Sequence, residues 1–426
     1  MLAPKVLGAT EGGKKPDDLN VALIGAGVQG QVLLDACLKM EGVRFKAVCD
    51  IWEAYNQKRV SGQLNSVGHA NNPYVDYREM LDQEKDLDAV IIATPDFSHA
   101  EHTVACLRAG LHVYCEKAMS NTVEGARKMV QAARETGKLL QIGHQRRSNP
   151  RYLHCFEGLL QELELLGRIT NVYGQWNRSV QPDIGWPKKY PIDEATLNKY
   201  GYKSMHQFKN WRWFKGLGGG LVVDLGAHQI DVFNWFLETP PRSVTARAGT
   251  HYYDKKTHEW YDTVMTVLEY ETSAGTVSAY YQAITTNGYG GYYEIFMGDK
   301  GSLEISESAG RGNVYPDRIH PTEWERWVRL GYLKEPVAEE AREETEEGVL
   351  LDVRETVVPP SYKLPVQLNH PYHKPHLENF FKAIRGEAEL NCPPEVGYQT
   401  VVTLLKVNEA VEAGRTLDFK PEEFVV

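Results

Sequence analysis

The segment that most limits what this chain can fold into is Gly25-Ala26-Gly27-Val28-Gln29-Gly30. It fits the G-x-G-x-x-G spacing, and its setting gives that spacing meaning. The apolar run Leu19–Ile24 leads straight into it, and a helical pattern leaves it from Val28. In a strand–turn–helix unit, Gly25 permits the tight turn, Gly27 lets a diphosphate approach the backbone, and Gly30 lets the helix pack close on the strand. The first turn of the helix, where Val28 and Gln29 sit, adds free N–H groups and the positive end of the helix dipole. Asp50 follows the next apolar run, Phe45–Cys49, twenty residues after Gly30. That is the place of the carboxylate that hydrogen-bonds an adenosine ribose. A carboxylate there repels a 2′-phosphate, and Ile51 and Trp52 follow it rather than an arginine, so NAD is expected in preference to NADP.

The same texture continues to about His144. Short apolar runs (Leu19–Ile24, Phe45–Cys49, Ala89–Ala93, His112–Cys115, Leu139–Ile142) alternate with helical patterns at Val28–Met40, His99–Ala109 and Thr122–Thr136. Continuous apolar runs are what strands covered on both faces require, and the alternation predicts βαβ units in a parallel sheet. After Arg147 the runs lengthen and alternate apolar with polar: Arg168–Trp176, Ser243–Tyr252, Thr263–Tyr270, Thr276–Ala283 and Tyr292–Met297. They predict an antiparallel sheet with one face covered. Helical patterns fall at Pro150–Leu166, Gly219–Leu237, His376–Arg385 and Val396–Ala413. The expected architecture is α/β. It has a lead-in arm at 1–18, a Rossmann dinucleotide-binding domain at 19–146, and an α+β domain with a large, mostly antiparallel open sheet at 147–426. Two stretches read as insertions. Residues 176–215 hold nine aromatics in forty positions, and 310–375 includes an acidic run at 335–347 with seven Glu against one Arg, read as a solvated face.

Composition removes several function classes. Across 426 residues, 42% are apolar and 24% charged, as in folded globular chains. A formal charge of -10 argues against nucleic acid as a partner, since phosphate binding needs a cationic surface. No run reaches the ~18 apolar residues of a membrane span. Leu221–Leu237 comes nearest and is broken by Asp224, His228 and Asp231. None of the six cysteines forms a C-x-x-C pair and no signal peptide is visible, so a reducing, cytoplasmic compartment is expected. A periplasmic one is the alternative for a chain whose leader has been removed.

Three groups of residues suggest chemistry. In Gly218-Gly219-Gly220-Leu221-Val222-Val223-Asp224-Leu225-Gly226-Ala227-His228, Asp224 and His228 are i,i+4 and share a helix face. A carboxylate beside an imidazole raises its pKa and fixes its tautomer, which suits acid/base work. Ligands of open parallel sheets bind outside the carboxyl ends of strands, which singles out Thr94-Pro95, Glu116-Lys117 and His144-Gln145-Arg146-Arg147. His370-x-x-His373-x-x-His376 has zinc-like spacing, but Pro371 and Pro375 break helical geometry. It is read as a polar loop near the site, and no metal is expected.

With Thr94-Pro95 joined by His99, Asp224-x-x-x-His228 extended to Asp231, and Met297-Gly298-Asp299-Lys300-Gly301-Ser302-Leu303 added, the ordered set resembles the glucose–fructose oxidoreductase / inositol dehydrogenase / MocA family of nicotinamide-dependent sugar and cyclitol oxidoreductases. The likeness runs from about Asn20 to Leu417. It implies that Lys117 matches the family's catalytic lysine, and Asp224 and His228 its catalytic pair. Ala118 stands where the family often has a cis proline. The implied cofactor wall comprises Gly25, Gly27, Val28, Gln29, Gly30 and Asp50, with Thr94, Pro95, His99, Glu116, Lys117 and Gln145 at later strand ends. The implied substrate wall comprises Lys117, Arg146, Trp176, Asn177, Trp211, Asp224 and His228, the tryptophans stacking on a sugar face. The expected reaction is hydride transfer from a ring carbon of a sugar, glycoside or cyclitol to NAD, with His228 as base oriented by Asp224. The alternative is a glycosidase that uses a tightly held NAD in an oxidation–elimination–reduction cycle. A non-catalytic NAD-binding protein is disfavoured by the intact Lys117, Asp224 and His228. The family's sheet domain also implies a homo-oligomer, dimer or tetramer.

Overall fold

The computed structural model describes residues 18–308, 310–317, 324–336 and 361–426. The lead-in arm apart from Asp18, the acidic run beyond Pro336 and much of 310–375 lie outside the described residues.

The first sheet is built from β1 (Leu19–Ile24), β2 (Val43–Cys49), β3 (Asn72–Tyr74), β4 (Ala89–Ile92), β5 (His112–Cys115) and β6 (Leu140–Ile142). All are parallel, in the order β3-β2-β1-β4-β5-β6. Both faces are buried, as the unbroken apolar runs require. Val21 and Leu23 pack with Leu33, Leu34, Phe380 and Phe381, whereas Ala22 and Ile24 pack with Met129 and Val130. Each large apolar side chain so buried is worth about 1.5–3 kcal/mol. The helices between the strands are α1 (Val28–Cys37), α2 (Lys58–Ser66, after a π turn at Glu53–Gln57), α3 (Tyr77–Gln83), α4 (Asp96–Arg108) and α5 (Val123–Thr136). Local chemistry sets the ends of α5. The Thr122 hydroxyl accepts the Gly125 N–H at its start, and Gly137 takes the left-handed conformation (φ 63°) at its end. β3 and α2 escape the pattern because one is three residues long with a proline, and the other is mostly polar.

The second sheet has ten strands: β7 (Ile169–Asn177), β8 (Ser243–Gly249), β9 (Thr263–Thr272), β10 (Gly275–Ile284), β11 (Tyr292–Gly298), β12 (Gly301–Ile305), β13 (Gly312–Pro316), β14 (Lys334–Pro336), β15 (Tyr362–Lys363) and β16 (Leu417–Asp418). Its order is β14-β15-β13-β12-β11-β7-β10-β9-β8-β16, antiparallel except for the parallel pair β7–β10. The remaining helices are α6 (Pro150–Leu153, continued by a π helix at His154–Glu162), α7 (Glu194–Lys199), α8 (Met205–Lys209), α9 (Leu221–Phe236), α10 (Trp324–Arg329), α11 (Lys374–Ile384) and α12 (Pro394–Ala413). The inner face of the sheet (Val172, Leu268, Val277, Ala279, Phe296) packs on Ile230 and Phe233 of α9 and on Val401 and Leu404 of α12. Although α11 follows residue 147 by more than two hundred positions, it covers the first sheet beside α1, so the two sheets are tied by chain that returns.

The aromatic stretch forms a strap between the sheets. Ile192, Leu197, Tyr202, Met205, Phe214 and Leu217 bury themselves around Trp52, which follows β2, and the Trp52 indole donates to the Tyr190 carbonyl at 2.7 Å. Among the described residues no helix is long and apolar enough to cross a membrane, and the six cysteines are free and buried.

Candidate active site

The strap, the carboxyl ends of the first sheet and the start of α9 enclose one cleft of about 680 Å³. At one end lies the glycine turn. Gly25 has φ +94°, and a Cβ there would lie 2.7 Å from the Ala93 carbonyl carbon, so the turn admits no other residue without movement. A Cβ on Gly30 would lie 1.9 Å from the Gly25 oxygen. Gly30 is therefore the packing contact of helix on strand, beneath the cleft wall. A Cβ on Gly27 would meet nothing within 4 Å. That open space lies beside the N-terminus of α1, which no side chain caps, and Val28 there is 78% exposed. An uncapped helix start next to bare backbone suits an anionic diphosphate.

Asp50 lines the same end. Its carboxylate accepts the Ala26 N–H at 2.8 Å and the Trp52 N–H at 2.7 Å, with the Asn56 amide at 3.4 Å. Burial raises its pKa, opposed by these donors and by the Lys209 ammonium. These residues fit a dinucleotide: room over Gly27, free N–H groups at α1, and a carboxylate beyond β2. Thr94, Pro95 and Glu116 also face the cleft, and Gln29 donates to Glu116 at 3.0 Å. Gln145 faces it too, its amide held by Glu307 at 3.1 Å. His99 does not. It is 1% exposed, and its two ring nitrogens sit 2.7 Å from the Ala118 carbonyl and 2.6 Å from the Thr94 carbonyl. Burial opposes charge on His99, but Cys115, Asp96 and the Ala118 carbonyl outweigh it and raise its pKa to about 10. It braces two strand-end loops from inside, which corrects its expected place on the cofactor wall.

At the other end, Lys117 and α9 meet. The Lys117–Ala118 peptide is cis. The Lys117 ammonium donates to the Asp224 carbonyl at 2.6 Å and lies 3.5 Å from its carboxylate. The Arg212 guanidinium donates to the same carboxylate at 3.1 Å. Burial works against ionised Asp224, but Arg212 and Lys117 prevail and hold it well below the usual carboxylate range. His228, one turn on, is 6% exposed and lies tilted against Trp176 with ring centres 5.5 Å apart. Its pKa falls well below that of an ordinary histidine, through burial first and then the charges of Lys117 and Arg146. The expectation that Asp224 raises the pKa of His228 and fixes its tautomer is therefore corrected: Asp224 serves the two cations, and the imidazole is kept neutral.

Two further expectations are corrected. Arg146 is 1% exposed, paired with Glu294 and with Glu307 at 3.1 Å, and it supports the floor under Trp176 without facing the cleft. Asn177 spends its amide on the Tyr289 carbonyl and accepts from Gln282, also away from the cleft. Trp176 and Trp211 do line it. His373 lines it as well, its Nε2 lying 3.0 Å from the Gln29 amide nitrogen, and the described residues hold no cluster suited to a metal. Arg212 and Lys209 are functional candidates that sequence reasoning missed. Their only signal was a place among the strap's aromatics, and their partners Asp224 and Asp50 become neighbours only when the strap folds.

Residues 19–144 match an oxidoreductase family described by its NAD-binding Rossmann fold, and residues 191–419 match that family's C-terminal alpha/beta domain. Inositol 2-dehydrogenase 2 of Saccharopolyspora erythraea is 29% identical over 68% of this chain and 74% of its own length. The 1,5-anhydro-D-fructose reductase of Ensifer adhaerens is 29% identical over 53% of this chain, which spans only 59% of that relative. Levoglucosan dehydrogenase in complex with NADH and levoglucosan superposes with TM-score 0.69 at 19% identity, covering 95% of this chain and 99% of the other. WlbA dehydrogenase of Bordetella pertussis, in complex with NADH and UDP-GlcNAcA, gives TM-score 0.66 at 19% identity, covering 95% and 99%.

Proposed function

This chain belongs to the glucose–fructose oxidoreductase / inositol dehydrogenase / MocA family of NAD-binding oxidoreductases, and from that premise we propose that it oxidises a ring hydroxyl of a sugar, glycoside or cyclitol to a carbonyl, or reduces that carbonyl to the hydroxyl. The observation that carries this reading is the meeting of Lys117, Asp224 and His228 in the cleft that also holds the glycine turn. NAD, when bound, supplies the hydride acceptor. Asp50 is assigned to its adenosine ribose, and the backbone around Gly27 to its diphosphate.

His228 takes the proton of the reacting hydroxyl. Its neutral state at physiological pH is what a base requires, and it follows from the burial and the neighbouring cations. Lys117 stabilises negative charge on the same oxygen as the carbonyl forms. Asp224 holds the Lys117 ammonium and Arg212 holds the Asp224 carboxylate, so both are positioning residues. Trp176 and Trp211 offer ring faces to the apolar side of a pyranose or cyclitol. The names of the relatives, inositol 2-dehydrogenase and 1,5-anhydro-D-fructose reductase, support this substrate class.

The test is formation of reduced nicotinamide on incubation with NAD and a panel of cyclitols, hexoses and glycosides. His228→Ala is expected to lower turnover by about 100- to 10,000-fold with NAD affinity nearly unchanged. Turnover at the wild-type rate in that variant defeats the assignment. Sugar release from a glycoside without added NAD and without net NADH points instead to the redox-neutral glycosidase cycle.

A further inference from the structure

We infer that Arg178 is an anion-recognition point in the substrate end of the cleft, and that the carbohydrate accepted there carries a carboxylate. The inference rests on the dehydrogenase reading above and narrows its substrate class.

Arg178 directly follows β7, and its backbone N–H donates to the Ile284 carbonyl at 2.8 Å, which anchors it where β7 and β10 end. Its guanidinium carbon lies 5.0 Å from the centre of the Trp176 ring. Trp176 in turn lies beside His228, so Arg178 sits one aromatic ring away from the proposed base. The side chain is half-buried and lines the cleft. The other cations of this end have acceptors: Lys117 and Arg212 have Asp224, and Arg146 has Glu294 and Glu307. Among the described residues the Arg178 guanidinium makes no hydrogen bond or ion pair.

A guanidinium presents five N–H donors in a planar fork that matches the two oxygens of a carboxylate. Holding such a group partly out of water without an acceptor is unfavourable unless a ligand provides one. The diphosphate of the cofactor has its own place at Gly27 and α1, on the first sheet. Arg178 belongs to the second sheet, on the wall that carries Trp176. The Asp224 carboxylate feels the Arg178 charge through space but shares no hydrogen bond with it, so the N–H fork is left for an anion on the substrate, and one guanidinium matches one carboxylate charge. A uronic acid, with a carboxylate in place of the primary alcohol of a hexose, has that form.

The test uses the protein saturated with NADH and titrated calorimetrically with paired methyl glycosides, each hexoside against the uronide of the same configuration, in the gluco, galacto and manno series. The uronide of at least one pair is expected to bind about 10- to 100-fold more tightly, the size of a charge-assisted contact. In Arg178→Gln that ratio is expected to fall to within about threefold, while Arg178→Lys, which keeps the charge and loses the fork, keeps part of it. NADH affinity serves as the check that both variants are folded. Equal or weaker binding of every uronide, no binding of any glycoside, or an unchanged ratio in Arg178→Gln overturns the inference. Failure of the dehydrogenase reading shows itself differently, as absence of NADH binding or of NAD reduction with every member of the panel.

Discussion

Gly27 differs from its two partner glycines in a way that separates folding from binding. Gly25 and Gly30 are demanded by the chain's own backbone, whereas the space over Gly27 is empty of protein. Gly27→Ala is expected to leave thermal stability nearly unchanged and to weaken NAD binding by about tenfold or more, because a methyl group there occupies the diphosphate's approach. Unaltered NAD affinity by titration would remove Gly27 from the cofactor site. His228 yields a pH prediction. Its folded pKa lies well below the ordinary 6.5, so the neutral base persists as pH falls through 6.5 and is lost only below it. The acid limb of kcat/KM is therefore expected below pH 6.5, and a limb at or above that value contradicts a buried, cation-flanked base. Lys117, Asp224 and His228 were legible in the sequence because strand ends and i,i+4 spacing are local facts. That Asp224 attends to Arg212 and Lys117 instead of His228 was not, since it depends on where a distant segment lays its guanidinium.

At the scale of elements, the strap between β7 and α9 joins the two ends of the cleft. Its apolar side chains close over Trp52 just past Asp50, while Arg212 reaches Asp224 at the far end. Trp52 is 1% exposed, meets Phe208 edge-on at 5.7 Å and donates to the Tyr190 carbonyl. Trp52→Ala is expected to lower stability in urea by about 3–5 kcal/mol and to weaken NADH binding as well, since the strap then loses its seat above the adenosine end. An unfolding midpoint equal to wild type would mean that the strap is not docked there. Most strands of both sheets were readable because burial on one face or two stamps its period on the sequence, whereas β3 and β13–β16 are short and carry no such period. The strap was visible only as an excess of aromatics. Its short helices α7 and α8 are stabilised by packing on Trp52 rather than by a repeat of their own.

At the scale of the molecule, the two sheets differ in how their faces are covered. The first is buried on both sides, and the second packs α9 and α12 on its inner face. On its outer face, cross-strand neighbours form an apolar row. Val267, Tyr280, Tyr173 and Ile295 stand side by side on β9, β10, β7 and β11, and in the next row Met265 and Tyr293 flank Gln282 and Gln175. Tyr173 and Tyr280 stack with ring centres 5.5 Å apart, and Met265 and Val267 are each 45% exposed. An apolar row on an open sheet is costly to leave in water, and a second copy of the same face would cover it with two-fold symmetry. Closing about 800 Å² on each partner suffices for a stable contact, which four strands of this length can provide. The protein is therefore expected to sediment as a homo-oligomer, a dimer or tetramer, at micromolar concentration. Tyr173→Lys combined with Val267→Lys places one charge inside the row and one at its end, and is expected to shift the protein to monomer while the first sheet still binds NAD. A wild-type protein that sediments as a monomer at that concentration contradicts the assignment of this face, and an oligomer that survives the double substitution moves the interface elsewhere on the molecule.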